Sequence, residues 1–273
     1  MSGLGLTAIA AGPGGQVEVL RLYPAGAPGS SAPPAPEASD GLRVRNVTDP
    51  TLTIFRPPAG KASDVSVLIV PGGGFQHLSI ANEGYDVARQ LVARGLTALV
   101  LKYRVSDRPA GSRPAGVDEL NDSAAAQTAM QDGDRAMRLI RAHAGDWGLS
   151  PRHVGALGFS AGAVIVLHLA LSADPDTRPD FAAALYGAMP GHAAVPAGAP
   201  PLFLAAAVDD QVMGIGPSQA TFRAWHTAGA DVELHFFRTG GHGFGMNPQH
   251  GTSDHWLEEY LWWLESRNLL RPQ

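Results

Sequence analysis

A serine held between two glycines, Gly158-Phe159-Ser160-Ala161-Gly162, is the first place in this chain where residue types and spacing could do chemistry. It follows a short apolar run, Val154–Phe159, and opens an apolar helical stretch, Ala161–Ser172, so the serine falls on a strand-to-helix turn. Such a turn is sharp and strained, and a side chain at either flanking glycine would strike neighbouring backbone. The turn holds the hydroxyl out above a sheet, and the partial positive charge of the following helix N-terminus favours the anion that forms in acyl transfer. The bland reading of the bare pentapeptide is a Gly- and Ala-rich connection that happens to contain a serine. The strand before it and the helix after it argue against that.

A serine hydroxyl is a weak nucleophile and needs a base beside it. Position must choose among the ten histidines. His242, in Thr239-Gly240-Gly241-His242-Gly243-Phe244, comes directly after the apolar run Val232–Phe237 and before the last helix. Its glycine neighbours let the backbone turn tightly and aim the imidazole at the sheet edge. His143, His168, His226 and His255 fall on helices, and His153 and His235 at or in strands, which reads as structural. His77 and His192 lie on loops at the same edge as His242 and are candidates for substrate contact. An acid that orients the base belongs between serine and histidine in chain order. Val208-Asp209-Asp210-Gln211 follows the run Leu202–Val208 and supplies two adjacent candidates. Asp210 is preferred, with Asp209 free to fix the turn by bonding to backbone.

Acyl transfer also needs N–H donors for the carbonyl oxygen as it becomes an anion. Val70-Pro71-Gly72-Gly73-Gly74-Phe75 leaves the first central strand with three consecutive glycines. Gly73 and Gly74 are expected to donate, joined by Ala161 after the serine. A phosphate loop is the competing use of such a strip. It requires a Lys followed by Ser or Thr at fixed spacing, and neither is present.

These three motifs must be brought together by the elements between them. Val65–Val70, Thr97–Tyr103, Val154–Phe159, Phe181–Tyr186, Leu202–Val208 and Val232–Phe237 are apolar without alternation, as strands buried on both faces are. Helical periods lie between them: Glu83–Arg94, Ala124–His143, Ala161–Ser172, Ser218–Ala228 and His255–Ser266. The alternation predicts a doubly wound, mostly parallel α/β sheet with helices on both faces. Val17–Tyr23 and Leu52–Phe55 would add an antiparallel N-terminal edge. The chain is expected to form one domain over residues 1–273, with edge strands and loops in 1–60 and the core in 65–266. About fifty residues separate Ser160 from Asp210, which after a strand and two connections leaves little for a large cap and predicts an open, shallow site. Ligands bind outside the carboxyl ends of the strands in such sheets. All three motifs fall on those loops, with Arg104–Ser123 and Gly187–Pro200 expected to line the leaving-group side.

Composition narrows the classes further. Hydrophobic residues at 45% and charged residues at 16% describe a globular chain. A formal net charge of -5, with no Lys/Arg-rich run, gives no footprint for a nucleic-acid partner. The absence of cysteine removes a thiol nucleophile and thiolate metal sites. No apolar run approaches the ~18 residues that span a bilayer, so no membrane partner is expected. Met1–Ala11 is mildly apolar but has no Lys or Arg ahead of its first apolar stretch, a poor export signal. Cytoplasmic is the default expectation, with export after removal of a leader as the alternative. Oligomeric state is not fixed by the sequence. Of the Trp262-Trp263 pair, one ring should be core and the other partly exposed.

Taken together, the motifs resemble the esterase/lipase branch of the α/β-hydrolases, in particular its acetyl-xylan-esterase-like and feruloyl-esterase-like members. The resemblance runs from about Leu68 to the end of the last helix. It rests on Pro71–Phe75, Glu83-Gly84, Leu101-Lys102-Tyr103-Arg104, Asp132 with Arg135-Ala136, Gly158–Gly162, Asp209-Asp210 and Gly240–Gly245. Hormone-sensitive-lipase-like relatives carry His where this chain has Pro71, which leans the resemblance toward carbohydrate esterases. It implies hydrolysis of short acyl esters, on a small molecule or a carbohydrate, through a covalent acyl-enzyme with no metal or organic cofactor. A peptidase of the prolyl-oligopeptidase type would use the same residues, but its peptide-end anchor and access-limiting domain are not visible. A non-catalytic binding protein on this fold would be expected to have lost one of Ser160, Asp210 and His242.

Overall fold

The computed structural model describes residues 6–12, 15–29, 35–58, 60–105, 121–189 and 193–270. In chain order the strands are β1 (Leu6–Gly12), β2 (Gly15–Arg21), β3 (Ala38–Ser39), β4 (Val44–Arg45), β5 (Thr51–Phe55) and β6 (Ser66–Val70). They continue with β7 (His77–Leu78), β8 (Thr97–Lys102), β9 (Val154–Phe159), β10 (Phe181–Leu185), β11 (Leu202–Ala207) and β12 (Val232–Phe237). The described helices are α1 (Asp86–Ala93), α2 (Ala124–His143), α3 (Ala161–Ala170), α4 (Gly216–Thr227) and α5 (Trp256–Ser266).

Nine strands form the main sheet in the order β1-β2-β5-β8-β6-β9-β10-β11-β12. From β8 to β12 every neighbouring pair is parallel, while β1, β2 and β5 form an antiparallel margin joined to β8. The unbroken apolar runs explain which strands sit inside: every residue of β6, β9, β10 and β11 is buried. Helix α3 is apolar nearly all round, and α2 lies so close over it that a Cβ on Gly133 would meet Ile165 Cγ2 at 2.6 Å. At the far end, Tyr260 and Trp263 of α5 stand edge-on to Phe203 of β11.

The topology places a crevice. From β6 the chain passes through α1 to β8 on one side, then returns through α2 to β9 on the other. The connections leaving β6 and β9 therefore part in opposite directions, which is where an open α/β sheet takes its ligand. Pro71–Gly74 and Ser160 lie on those two connections.

The parallel core and antiparallel margin agree with the sequence reading, and Trp263 is buried while Trp262 is exposed. Three features differ. Leu6–Gly12 is a strand, paired with β2, although its small apolar residues carry no alternation strong enough to reveal it. The helix expected over Glu83–Arg94 begins earlier, at Ala81, with a π-helical turn. A small second sheet, β3-β4-β7, was not expected, because strands of two residues have no readable period.

Candidate active site

Ser160 sits between β9 and α3 with φ 50 and ψ -118, a conformation that L-residues avoid. The turn is tight because backbone crosses it at contact distance. A Cβ on Gly158 would lie 2.4 Å from the Gly162 carbonyl oxygen, and one on Gly162 would lie 2.0 Å from that of Val70. Only glycine leaves room at both. Helix α3 has no side-chain cap, so its first N–H groups, beginning with Ala161, are left at the serine.

The chain segments remote in sequence meet here. Ser160 Oγ lies 2.8 Å from His242 Nε2, and His242 Nδ1 lies 2.8 Å from Asp210 Oδ2. The carboxylate partner fixes which ring nitrogen carries the proton: Nδ1–H donates to Asp210, leaving Nε2 to accept from the serine hydroxyl. Asp210 Oδ1 accepts the N–H groups of Val212 and Met213 at 2.8 and 2.9 Å. Burial pushes the Asp210 carboxyl up, but the His242 bond, these two amides and the His242 charge together hold it below its ordinary range. Asp209 takes the other role: its Oδ1 accepts the Gly241 N–H at 2.8 Å and so pins the loop that carries His242.

Gly73 and Gly74 line the same cavity of about 520 Å³ as Ser160 and His242. Their N–H groups have no acceptor among the described residues. Gly73, at φ 131, has the His77 carbonyl oxygen 2.0 Å from where a Cβ would stand, so the strip can bend only as glycine. Gly72 is differently used. Its N–H donates to Glu83 Oε2 at 2.8 Å, and its missing Cβ leaves space between Glu83 and Ser160 Cβ. Tyr103 Oη donates to the Pro71 carbonyl at 2.9 Å beneath.

One wall of the cavity comes from the small sheet. Leu42 and Arg43, in the turn between β3 and β4, line it, as do His77 and Gln76 beside β7. Burial, then the charges of Arg43 and Arg45, push the His77 imidazole down to about 4, so it is neutral at neutral pH and can exchange hydrogen bonds with a hydroxyl. Val212, Met213 and Asn247 complete the opposite side. His77 thus borders the cavity at the expected edge, but from the short strand β7 and not from a loop. His192 and residues 106–120 of the expected leaving-group loop lie outside the described residues. Sequence reasoning missed the wall at Leu42 and Arg43 and the use of Glu83, Tyr186 and Asn82. A glutamate in an otherwise apolar-facing helix start was the only available signal.

Residues 63–269 match the dienelactone hydrolase family. Among curated proteins, an acetylxylan esterase of Xylanibacter ruminicola is 25% identical over 246 aligned residues, covering 77% of this chain and 46% of that protein. An endo-1,4-beta-xylanase B of Butyrivibrio fibrisolvens is 28% identical over 121 residues, 42% of this chain and 16% of its own. The chain therefore spans less than half the length of these curated relatives. Among solved structures, an acetyl ester-xyloside bifunctional hydrolase from Caldicellulosiruptor lactoaceticus has a TM-score of 0.66 at 24% identity, over 81% of this chain and 89% of that one. Propionate-bound esterase 2 of Thermogutta terrifontis has a TM-score of 0.68 at 21% identity, over 82% and 92%. Likeness of this kind speaks for the α/β-hydrolase fold.

Proposed function

The chain belongs to the dienelactone hydrolase family, and from that premise we propose that it is a serine carboxylesterase that removes short acyl groups, acetyl above all, from a carbohydrate or a small molecule. The observation that carries this reading is the unbroken run of contacts Ser160–His242–Asp210, 2.8 Å at each step, opening on a cavity floored by free glycine amides. The acetylxylan esterase relative supports acetyl and carbohydrate as the acyl and alcohol sides.

In the proposed reaction Ser160 Oγ attacks the ester carbonyl carbon while its proton passes to His242 Nε2. Asp210 steadies the imidazolium that results. The carbonyl oxygen, now an anion, is held by the N–H groups of Gly73, Gly74 and Ala161. Collapse expels the alcohol, which takes the proton from Nε2, and leaves an ester on Ser160. Water, deprotonated by the same nitrogen, releases the acid. The neutral His77 and the side chains of Gln76 and Asn247 offer hydrogen bonds to alcohol-side hydroxyls, as a sugar requires.

Purified protein is to be assayed against p-nitrophenyl esters of rising chain length, acetylated xylo-oligosaccharides and aminoacyl amides. The reading predicts highest kcat/KM on acetyl esters, little on amides, and a Ser160→Ala variant slowed by about 10⁴-fold or more. Hydrolysis of amides in preference to esters would replace the reading with a peptidase.

A further inference from the structure

Glu83 is 3% exposed, borders the cavity of Ser160, and takes no part in the acyl-transfer steps. Building on the reading of Ser160 as nucleophile, we infer that Glu83 is a positioning residue: as a carboxylate it ties the oxyanion strip to the histidine loop and supplies a counter-charge for the His242 imidazolium.

The hydrogen-bond count argues for the charged form. Oε2 accepts the Gly72 N–H at 2.8 Å and Oε1 accepts the Tyr186 hydroxyl at 2.7 Å. The Tyr186 oxygen in turn accepts the Gly245 N–H at 3.2 Å, so the single phenolic proton is committed to Glu83. Both carboxyl oxygens face donors; a proton on Oε1 could pass only to the Tyr186 oxygen, and the phenolic proton would then have no acceptor among the described residues. Burial pushes the carboxyl up from its ordinary value, and the Tyr186 and Gly72 donors oppose that push.

Glu83 and Tyr186 together thus link three segments: the strip after β6, the end of β10 and the loop after β12. Asn82, next to Glu83 in the chain, reaches the same loop, with Oδ1 accepting the Met246 N–H at 2.6 Å. The backbone here is π-helical, with Tyr85 N–H bonded to Ile80 O and Asp86 N–H to Ala81 O. The wider turn rotates less per residue, and single π-turns recur at functional sites. The Tyr186 ring also stands edge-on to the His242 ring at 5.1 Å. Around Glu83 the other charged or titratable groups are Arg43 from the small sheet, Tyr103 from the end of β8, and His242; Asp210 faces His242 from the far side.

The test compares Glu83→Gln, Glu83→Asp and Tyr186→Phe with the native chain on p-nitrophenyl acetate, measuring kcat, KM and the pH profile of kcat/KM, with melting curves as the check on folding. Glu83→Gln is expected to lower kcat by about 10- to 100-fold with KM nearly unchanged. Removing a negative charge makes the imidazolium less favourable, so the acid limb of kcat/KM should move to lower pH. Glu83→Asp keeps the charge and should keep the limb. A folded Glu83→Gln protein with native kcat, or with an unmoved limb, overturns the inference. If Glu83→Gln does not fold, Tyr186→Phe decides: a kcat loss at constant KM upholds the link, and native kcat overturns it. Ser160→Ala run alongside keeps the two failures apart, since native activity there would defeat the serine reading whatever the Glu83 variants do.

Discussion

Two adjacent aspartates, Asp209 and Asp210, differ in what their carboxylates face. Asp210 meets the imidazole of His242, whereas Asp209 meets the backbone N–H of Gly241 one residue before it. Chain order alone could limit the orienting acid to this pair, but it could not say which carboxylate turns inward. Asp210→Asn should leave His242 in the wrong tautomer and lower kcat by about 10⁴-fold. Asp209→Asn should cost far less, because it only loosens the loop, and steady-state kinetics on both variants separates the roles. The same carboxylate makes a stability prediction. Its pKa is lower in the folded chain than unfolded, so the unfolded chain binds the proton more readily. Its contribution is complete above the ordinary carboxylate value of 3.8 and is lost as pH falls through the folded value. Denaturant melts of native and Asp210→Asn protein should therefore converge as the solution is acidified, and parallel curves would argue against it.

At the scale of elements, the strand–turn–helix around Ser160 was the most legible part of the sequence. Gly158 and Gly162 are glycine for a steric reason that the pentapeptide already encodes. Gly162→Ala should destabilise by about 1–3 kcal/mol or more, because the new methyl meets the Val70 carbonyl and the backbone must shift. A thermal melt of that variant checks it. The cavity wall at β3 and β4 was not legible: strands of two residues show no period, and their pairing with β7 is a tertiary event. The π-turn at Ala81–Tyr85 escaped for a related reason, since one extra residue per turn barely disturbs a helical hydrophobic pattern. Arg43 lines the cavity without an ion-pair partner among the described residues. Arg43→Ala should raise KM for a carbohydrate ester more than for p-nitrophenyl acetate, with kcat little changed. Equal KM values would remove the small sheet from substrate binding.

Across the molecule, a buried ion pair ties the end of β8 to α2, and its cation also reaches the N-terminal segment. Arg104, just after β8, donates to both carboxylate oxygens of Asp132 in α2, and the Asp132 carboxylate also accepts the Arg104 backbone N–H. The same guanidinium reaches the Pro28 carbonyl and stands over the Tyr23 ring at 5.5 Å. The sequence reading had singled out both residues by resemblance, without a use for them. Asp132→Ala strands a buried cation and should cost about 3–5 kcal/mol, measured by denaturant unfolding, while the geometry at Ser160 is left alone. The order of strands was legible because buried parallel strands read as plain apolar runs. Their lateral arrangement was not, since which neighbour β6 takes on each side depends on crossovers that carry no local signal. That arrangement nevertheless fixes function, because it sets the glycine strip and Ser160 side by side at the crevice.

The most direct test of the account is to react the native chain with a fluorophosphonate and locate the adduct by peptide mass spectrometry. One equivalent of label is expected, on Ser160 alone, with esterase activity lost in proportion, and no label on Ser160→Ala. Full inactivation with the label on another residue, or undiminished ester hydrolysis by protein labelled at Ser160, would contradict it.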